Sequence, residues 1–93
     1  MTLKDRLVED MKGAMKAREG GKLRLSVIRM ARAAIKNTEI DKRHELSDPE
    51  VIEVLAKEVK QRRDSIPEFE KAGRPDFVQN LNEEIAILMD YLP

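Results

Sequence analysis

Apolar residues recur along the chain at spacings of three and four, the period that places them on one side of an α-helix. The pattern predicts a first helix that Thr2 can cap and that Gly20 and Gly21 end. Its apolar positions are Leu3, Leu7, Val8, Met11, Ala14 and Met15. The same spacing over Leu23, Val27, Met30, Ala31, Ala34 and Ile35 predicts a second helix from about Lys22 to about Ile40.

The second half of the chain has two further helix starts. Ser47 to Glu50 combines a cap residue, a proline near the first helical position and a glutamate three residues after the serine, which predicts the start of helix three. Pro67 lacks a backbone donor, so a kink or break is expected near it. Gly73 can close that segment, and Arg74-Pro75 begins a fourth helix. The stripe of that helix is Phe77, Val78, Leu81, Ile85, Leu88 and Leu92.

These segments predict an all-α fold, a small antiparallel bundle of about four helices. A chain of 93 residues is expected to form one domain, spanning residues 1–93. A core of this size leaves room only for a shallow ligand site. No strand alternation, low-complexity tract or internal repeat favours another architecture.

Charge and composition limit the classes of binding partner and the cellular compartments that the sequence favours. Lys plus Arg and Asp plus Glu number 18 each, so net charge gives no global attraction to nucleic acid or to a membrane. The chain has no cysteine, and its first twenty residues are charged throughout, without an apolar signal segment. We therefore predict a cytoplasmic protein that neither enters nor binds a membrane.

A one-sign row of cations lies on helix two. Between Gly20 and Thr38 there are five cations and no acid, and Arg29, Arg32 and Lys36 project away from the apolar stripe. Such a ridge can follow phosphates, so these three residues are RNA-binding candidates. The alternative is an ordinary solvated face.

Two adjacent arginines on helix three have different environments. Arg62 falls inside the apolar stripe, so its guanidinium is expected to reach a carboxylate on helix four or helix one, or else to clamp a ligand. Arg63 lies at the edge of the stripe, where it is a fourth candidate for a phosphate contact.

On helix four, Glu84, Ile87 and Tyr91 lie away from the main stripe. An isoleucine and an aromatic ring exposed together would make a partner-docking spot. The alternative is that single exposed apolar residues are normal.

The sequence contains no recognisable catalytic machinery. His44, the only histidine, lies in a charged link without a serine, cysteine or second histidine at a recognisable spacing. The acids match neither a calcium loop nor a zinc motif, and the glycines form no phosphate-binding loop. We predict no catalytic residue, no metal and no cofactor.

Three segments carry a family resemblance: RLSVIRM from Arg24, KEVKQRRDSIPEFEKAGRPD from Lys57, and YLP from Tyr91. Together they resemble the YqeY-type proteins, over essentially the whole chain. The resemblance implies a relation to the tail of the B subunit of the tRNA-dependent glutamine amidotransferase, a carbon-nitrogen ligase. In that family a second small helical domain, the part related to the amidotransferase tail, usually follows the YLP segment, and it is expected to be absent here. No catalytic residue of the family maps onto this chain.

Two functions follow as hypotheses. The first is an accessory module that contacts tRNA, or an amidotransferase or tRNA-charging complex, through the basic ridge. The second is a protein-interaction module that docks a partner, or a missing C-terminal domain, through helix four. An enzyme acting on its own is the least favoured reading.

Overall fold

A computed structural model describes all residues from Met1 to Pro93. Four α-helices follow one another along the chain: α1 (Leu3–Lys16), α2 (Lys22–Lys42), α3 (Asp48–Lys71) and α4 (Pro75–Met89). One turn of 3-10 helix, Arg18–Gly21, joins α1 to α2. No strand is present, so the prediction of an all-α bundle is confirmed. None of the four helices combines the length and the apolar character that crossing a membrane requires.

Both helix starts with predicted side-chain caps have them. The Thr2 hydroxyl accepts from the backbone N–H of Asp5, and the Asp5 carboxylate accepts from the backbone N–H of Thr2. Ser47 and Glu50 make the same reciprocal pair at the start of α3. These contacts satisfy amide groups that the first helical turn leaves without partners, which is why the sequence located both starts correctly.

Helix α3 continues through Pro67 to Lys71, so the expected break does not occur. Proline removes one backbone donor and crowds the preceding turn. Pro67 itself is exposed, and the turns beside it are held by packing: Ile66 packs against the core, and Phe69 stacks on Phe77 with ring centroids 5.0 Å apart. The packing of these turns offsets the lost hydrogen bond, and the helix survives.

The core lies between all four helices, and α4 contributes to it over a wide arc. Helix α4 packs against both α3 and α2, and so buries more than the single stripe expected from the sequence. One buried side chain, Leu46, comes from the α2–α3 loop rather than from a helix. The buried cluster consists of Leu7, Val27, Ile28, Ala31, Ile35, Leu46, Val51, Leu55, Val59, Ile85, Ile87, Leu88 and Tyr91.

The connection between α1 and α2 is unusually tight. Gly21 is buried, and its backbone lies directly on the carbonyl group of Ala14. A Cβ atom at position 21 would fall far inside van der Waals contact with that carbonyl, whereas one at Gly20 would meet open space. Glycine is therefore required at position 21 by close backbone approach.

Candidate nucleic-acid interface

The basic ridge predicted from the sequence lies on the surface of α2. Arg29, Arg32 and Lys36 are all exposed. They border a groove of about 490 Å³ between α1 and α2. The remaining lining residues of the groove are Lys4, Leu7, Val8, Ala33, Ile35 and Glu39. The groove thus has apolar walls and a cationic border.

None of the three ridge cations forms an ion pair. Within the chain, Arg32 points its guanidinium at the sulfur of Met11, 3.3 Å from Nη1, and Arg29 and Lys36 contact no carboxylate. The charge of the ridge is therefore left for solvent or for a ligand.

The one carboxylate in the groove is already engaged. Glu39 accepts from Lys4 Nζ at 2.7 Å and from the backbone N–H of Leu46 at 2.9 Å. The bond from Lys4, followed by that from Leu46, lowers the pKa of Glu39, and the bond to Glu39 raises the pKa of Lys4. Because Lys4 neutralises Glu39, the groove keeps the positive charge of the ridge. The sequence alone did not bring Lys4 and Glu39 together, since the contact depends on how α1 packs across α2.

Arg63 is not part of this groove. It is exposed, but it borders a separate cleft with Val59, Lys60 and Leu92, where the chain leaves α4. Its Nη2 lies 4.0 Å from the sulfur of Met89. Of the four RNA-binding candidates, the fold brings three together and places the fourth elsewhere.

Arg62 is held by two carboxylates in the bundle interior. Its side chain is 8% exposed, and its Nε donates to Glu84 Oε1 at 2.8 Å. Its Nη1 donates to Glu58 Oε1 at 3.2 Å and to the Glu58 carbonyl at 3.1 Å. Asn80 donates to the second oxygen of Glu84. The expected carboxylate on helix four is therefore Glu84, and the remaining nitrogen of the guanidinium, Nη2, lies 3.7 Å from the sulfur of Met30.

The expectation that Ile87 and Tyr91 are exposed is wrong. They are 9% and 4% exposed and belong to the core, because α4 buries a second side against the other helices. Glu84, the third member of the expected docking spot, is half-buried and holds Arg62. The exposed spot on which partner docking rested does not exist.

Tyr91 instead ties the end of the chain to α1. Its hydroxyl donates to Asp10 Oδ2, and the Arg6 guanidinium lies over its ring, 4.4 Å from the centroid. Burial, then the bond to the Asp10 carboxylate, raises the pKa of Tyr91. The hydroxyl therefore stays protonated and serves as a donor.

His44 joins a polar cluster at the α2–α3 loop. Its Nε2 lies 2.9 Å from Glu50 Oε2, and Lys42 Nζ lies 3.3 Å from the same oxygen. The bond from His44, followed by that from the backbone of Ser47, lowers the pKa of Glu50 to about 2. No group of three His, Cys, Asp or Glu side chains is placed to hold a metal ion.

Comparison with known proteins identifies relatives along almost the whole chain. A family model described as "Yqey-like protein" matches residues 4–93. "Altered inheritance of mitochondria protein 41, mitochondrial" from Kluyveromyces lactis is 43% identical over 86 residues, 91% of this chain and 45% of that protein. The proteins of that name from Lachancea thermotolerans and Eremothecium gossypii are each 39% identical over 87 residues, 92% of this chain and 46% of their own length. The chain thus spans about half the length of the curated relatives it matches.

These relatives overturn the predicted cytoplasmic location. Their names place them in mitochondria, which points to that organelle rather than to the cytoplasm. The prediction rested on the lack of cysteine and of an apolar signal segment. Both features argue against secretion, but neither separates the cytoplasm from the interior of an organelle.

Proposed function

The chain belongs to the YqeY-like protein family, and from this membership we propose that it is a binding module that contacts tRNA through the basic ridge of α2 and performs no chemistry of its own. The connection to tRNA comes from the family's resemblance to the tail of the amidotransferase B subunit. The names of the fungal relatives specify no ligand. We place the module in a complex that charges tRNA or that amidates the amino acid attached to tRNA.

The observation that carries the proposal is the row of unpaired, exposed cations beside the groove between α1 and α2. Residues 29 to 36 span seven steps of a helix, roughly 10 Å along its axis. Neutralising phosphates releases condensed counterions, and this term supplies most of the affinity of non-specific nucleic-acid binding. Three neighbouring cations can therefore contribute a modest part of the affinity for RNA through counterion release.

The groove favours contact with the RNA backbone over contact with bases. Its lining includes no aromatic side chain on which a base can stack and no asparagine or glutamine that can pair with adenine, so its free polar groups are cations, which bind phosphate oxygens. Phosphate contacts fix orientation without reading sequence. Discrimination among tRNA species is therefore assigned to a partner or to the shape of the tRNA.

The experiment is a titration of labelled tRNA with the protein, followed by fluorescence anisotropy at several salt concentrations. The variant changes Arg29, Arg32 and Lys36 to Glu together. We expect it to bind at least about tenfold more weakly at low salt, and its slope of log affinity against log salt to be smaller by about 2 to 3, close to one unit per lost phosphate contact.

A control with the same change in net charge uses three exposed cations outside the groove that form no ion pair, Lys16, Lys57 and Lys71, each changed to Glu. We expect the control to lose far less affinity than the ridge variant. Circular dichroism establishes that both variants fold. Undetectable binding of tRNA by the unmodified chain at low salt, or equal losses in the two variants, would contradict the proposal.

A further inference from the structure

The outward side of α4 carries a second groove, which the proposed RNA contact does not use. Its volume is about 710 Å³, and Val78, Asn82 and Ala86 line it from α4. These residues follow one another at a spacing of four, so they lie along one face of the helix. Their small or short side chains leave a shallow trough beside the turn between α3 and α4.

The charge of this trough is negative. Glu70 of α3 and Glu83 of α4 both line it, both are exposed, and neither forms an ion pair. Arg74 lines it as well, but its guanidinium is engaged by Asp76 at 3.2 Å and lies over the ring of Phe77, 4.3 Å from the centroid. Two carboxylates are therefore left without a counter-charge.

The outer face of α2 has the complementary character. Arg29, Ala33, Lys36 and Ile40 recur at spacings of three and four and share one side of the helix. Ile40 is 63% exposed, and the two cations form no ion pair. Along this face the cations Arg29 and Lys36 alternate with the apolar residues Ala33 and Ile40.

We propose that the outer face of α2 in one copy of the chain docks into the groove on α4 of a second copy. Arg29 and Lys36 would meet Glu70 and Glu83, and Ile40 and Ala33 would cover the trough of Val78 and Ala86. The two surfaces differ, so the contact is head-to-tail and leaves one free surface of each kind at the ends of an assembly. This proposal does not depend on the RNA contact, but it uses two of the same cations, so tRNA and a second copy compete for α2.

Sedimentation velocity over a wide range of protein concentration tests the association. We expect the sedimentation coefficient to rise with concentration at about 50 mM salt, and the dissociation constant to increase by about tenfold or more at about 500 mM, because exposed charges are screened. A chain that stays monomeric at low salt up to the highest soluble concentration would overturn the proposal.

Charge exchange identifies the surfaces. We expect Glu70→Lys with Glu83→Lys to remove self-association, and Arg29→Glu with Lys36→Glu to remove it too. An equimolar mixture of these two variants restores it, because the unchanged α2 face of the first meets the unchanged groove of the second, and the two inverted surfaces are complementary as well. A matched control, Glu45→Lys with Glu53→Lys, changes the net charge equally at exposed acids outside the groove and keeps the association.

The outcome of the groove variant separates the two proposals. We expect Glu70→Lys with Glu83→Lys to retain tRNA binding, since α2 is intact, while losing contact with a second copy. Association that persists in the groove variant, a mixture that fails to reassociate, or an equal loss in the control would each overturn the docking proposal. None of these results bears on tRNA binding, which the anisotropy experiment measures separately.

Discussion

Arginines occur in two contrasting regions of this molecule, the interior of α3 and the outer face of α2. Arg62 is 8% exposed and held by Glu58 and Glu84, so its charge is fully used within the fold. Arg29 and Arg32 are exposed and touch no carboxylate. The same side chain is a fixed structural element in the first region and a charge available to other molecules in the second. The number of cations in a sequence does not show which are structural and which are available to a ligand. The position of each arginine relative to the apolar stripe of its helix does.

The largest effect should come from breaking the interior cluster. Arg62→Met leaves Glu58 and Glu84 half-buried without their cation, and we expect it to lower the free energy of unfolding by about 3 kcal/mol, the range seen when one partner of a buried pair is removed. Urea denaturation followed by circular dichroism measures it. Arg63→Met, on the exposed neighbour, is expected to change stability by less than about 0.5 kcal/mol.

A second variant tests the cause of that loss. Adding Glu58→Gln and Glu84→Leu to Arg62→Met removes the unpaired carboxylates, and we expect most of the lost stability to return. A single Arg62→Met variant as stable as the unmodified chain would show that the cluster does not hold α4 to α3.

A smaller effect should come from the bond between the end of the chain and α1. Tyr91→Phe keeps the buried ring and removes the hydroxyl that donates to Asp10, and we expect a loss of about 1 kcal/mol in the free energy of unfolding. In an Asp10→Asn background the same substitution should cost less. Equal costs in the two backgrounds would show that the bond contributes nothing measurable.

The smallest effect concerns the polar cluster at the α2–α3 loop, and it is measured as the loss of stability when the pH is lowered. Glu50 has its pKa lowered from 4.5 to about 2, so its contribution to stability is present above pH 4.5 and is lost as the pH falls through about 2. Glu50→Gln keeps the capping role at the start of α3 but cannot titrate. We expect the stability of the unmodified chain to fall more steeply with acid than that of this variant.

The control for the acid experiment is Glu53→Gln, an exposed glutamate on α3 that forms no ion pair. Urea midpoints at several pH values between neutral and strongly acid conditions compare the three proteins. A pH dependence in Glu50→Gln as steep as in the unmodified chain would contradict the interpretation, and Glu53→Gln should leave that dependence unchanged.

Much of the fold was predictable because local signals agree with the tertiary structure. The caps at Thr2 and Ser47 and the period of three and four fix helix type and helix starts without reference to packing. The pairing of Arg62 was predictable for a related reason, since a cation within an apolar stripe requires a buried carboxylate. The ridge of α2 followed from the absence of acids over a long stretch.

The remaining features depend on how helices pack, which periodicity does not encode. The sequence assigned Ile87 and Tyr91 to the surface because it allowed α4 only one apolar side, and α4 in fact contacts two neighbouring helices. Met30 shows the reverse, since it fits the stripe of α2 but is 49% exposed. The contact of Lys4 with Glu39, and hence the shape of the groove, required knowing the arrangement of α1 across α2.

The close backbone contact at Gly21 sets the spacing of α1 and α2, and so affects the groove between them although Gly21 does not line it. One methyl group at that position would push the carbonyl of Ala14 away and force the hairpin of α1 and α2 to open. The distance between Lys4 on one arm and Arg29 on the other would then change, although every cation would remain in place. The spacing of the cations that line this groove therefore depends on one buried glycine that carries no charge.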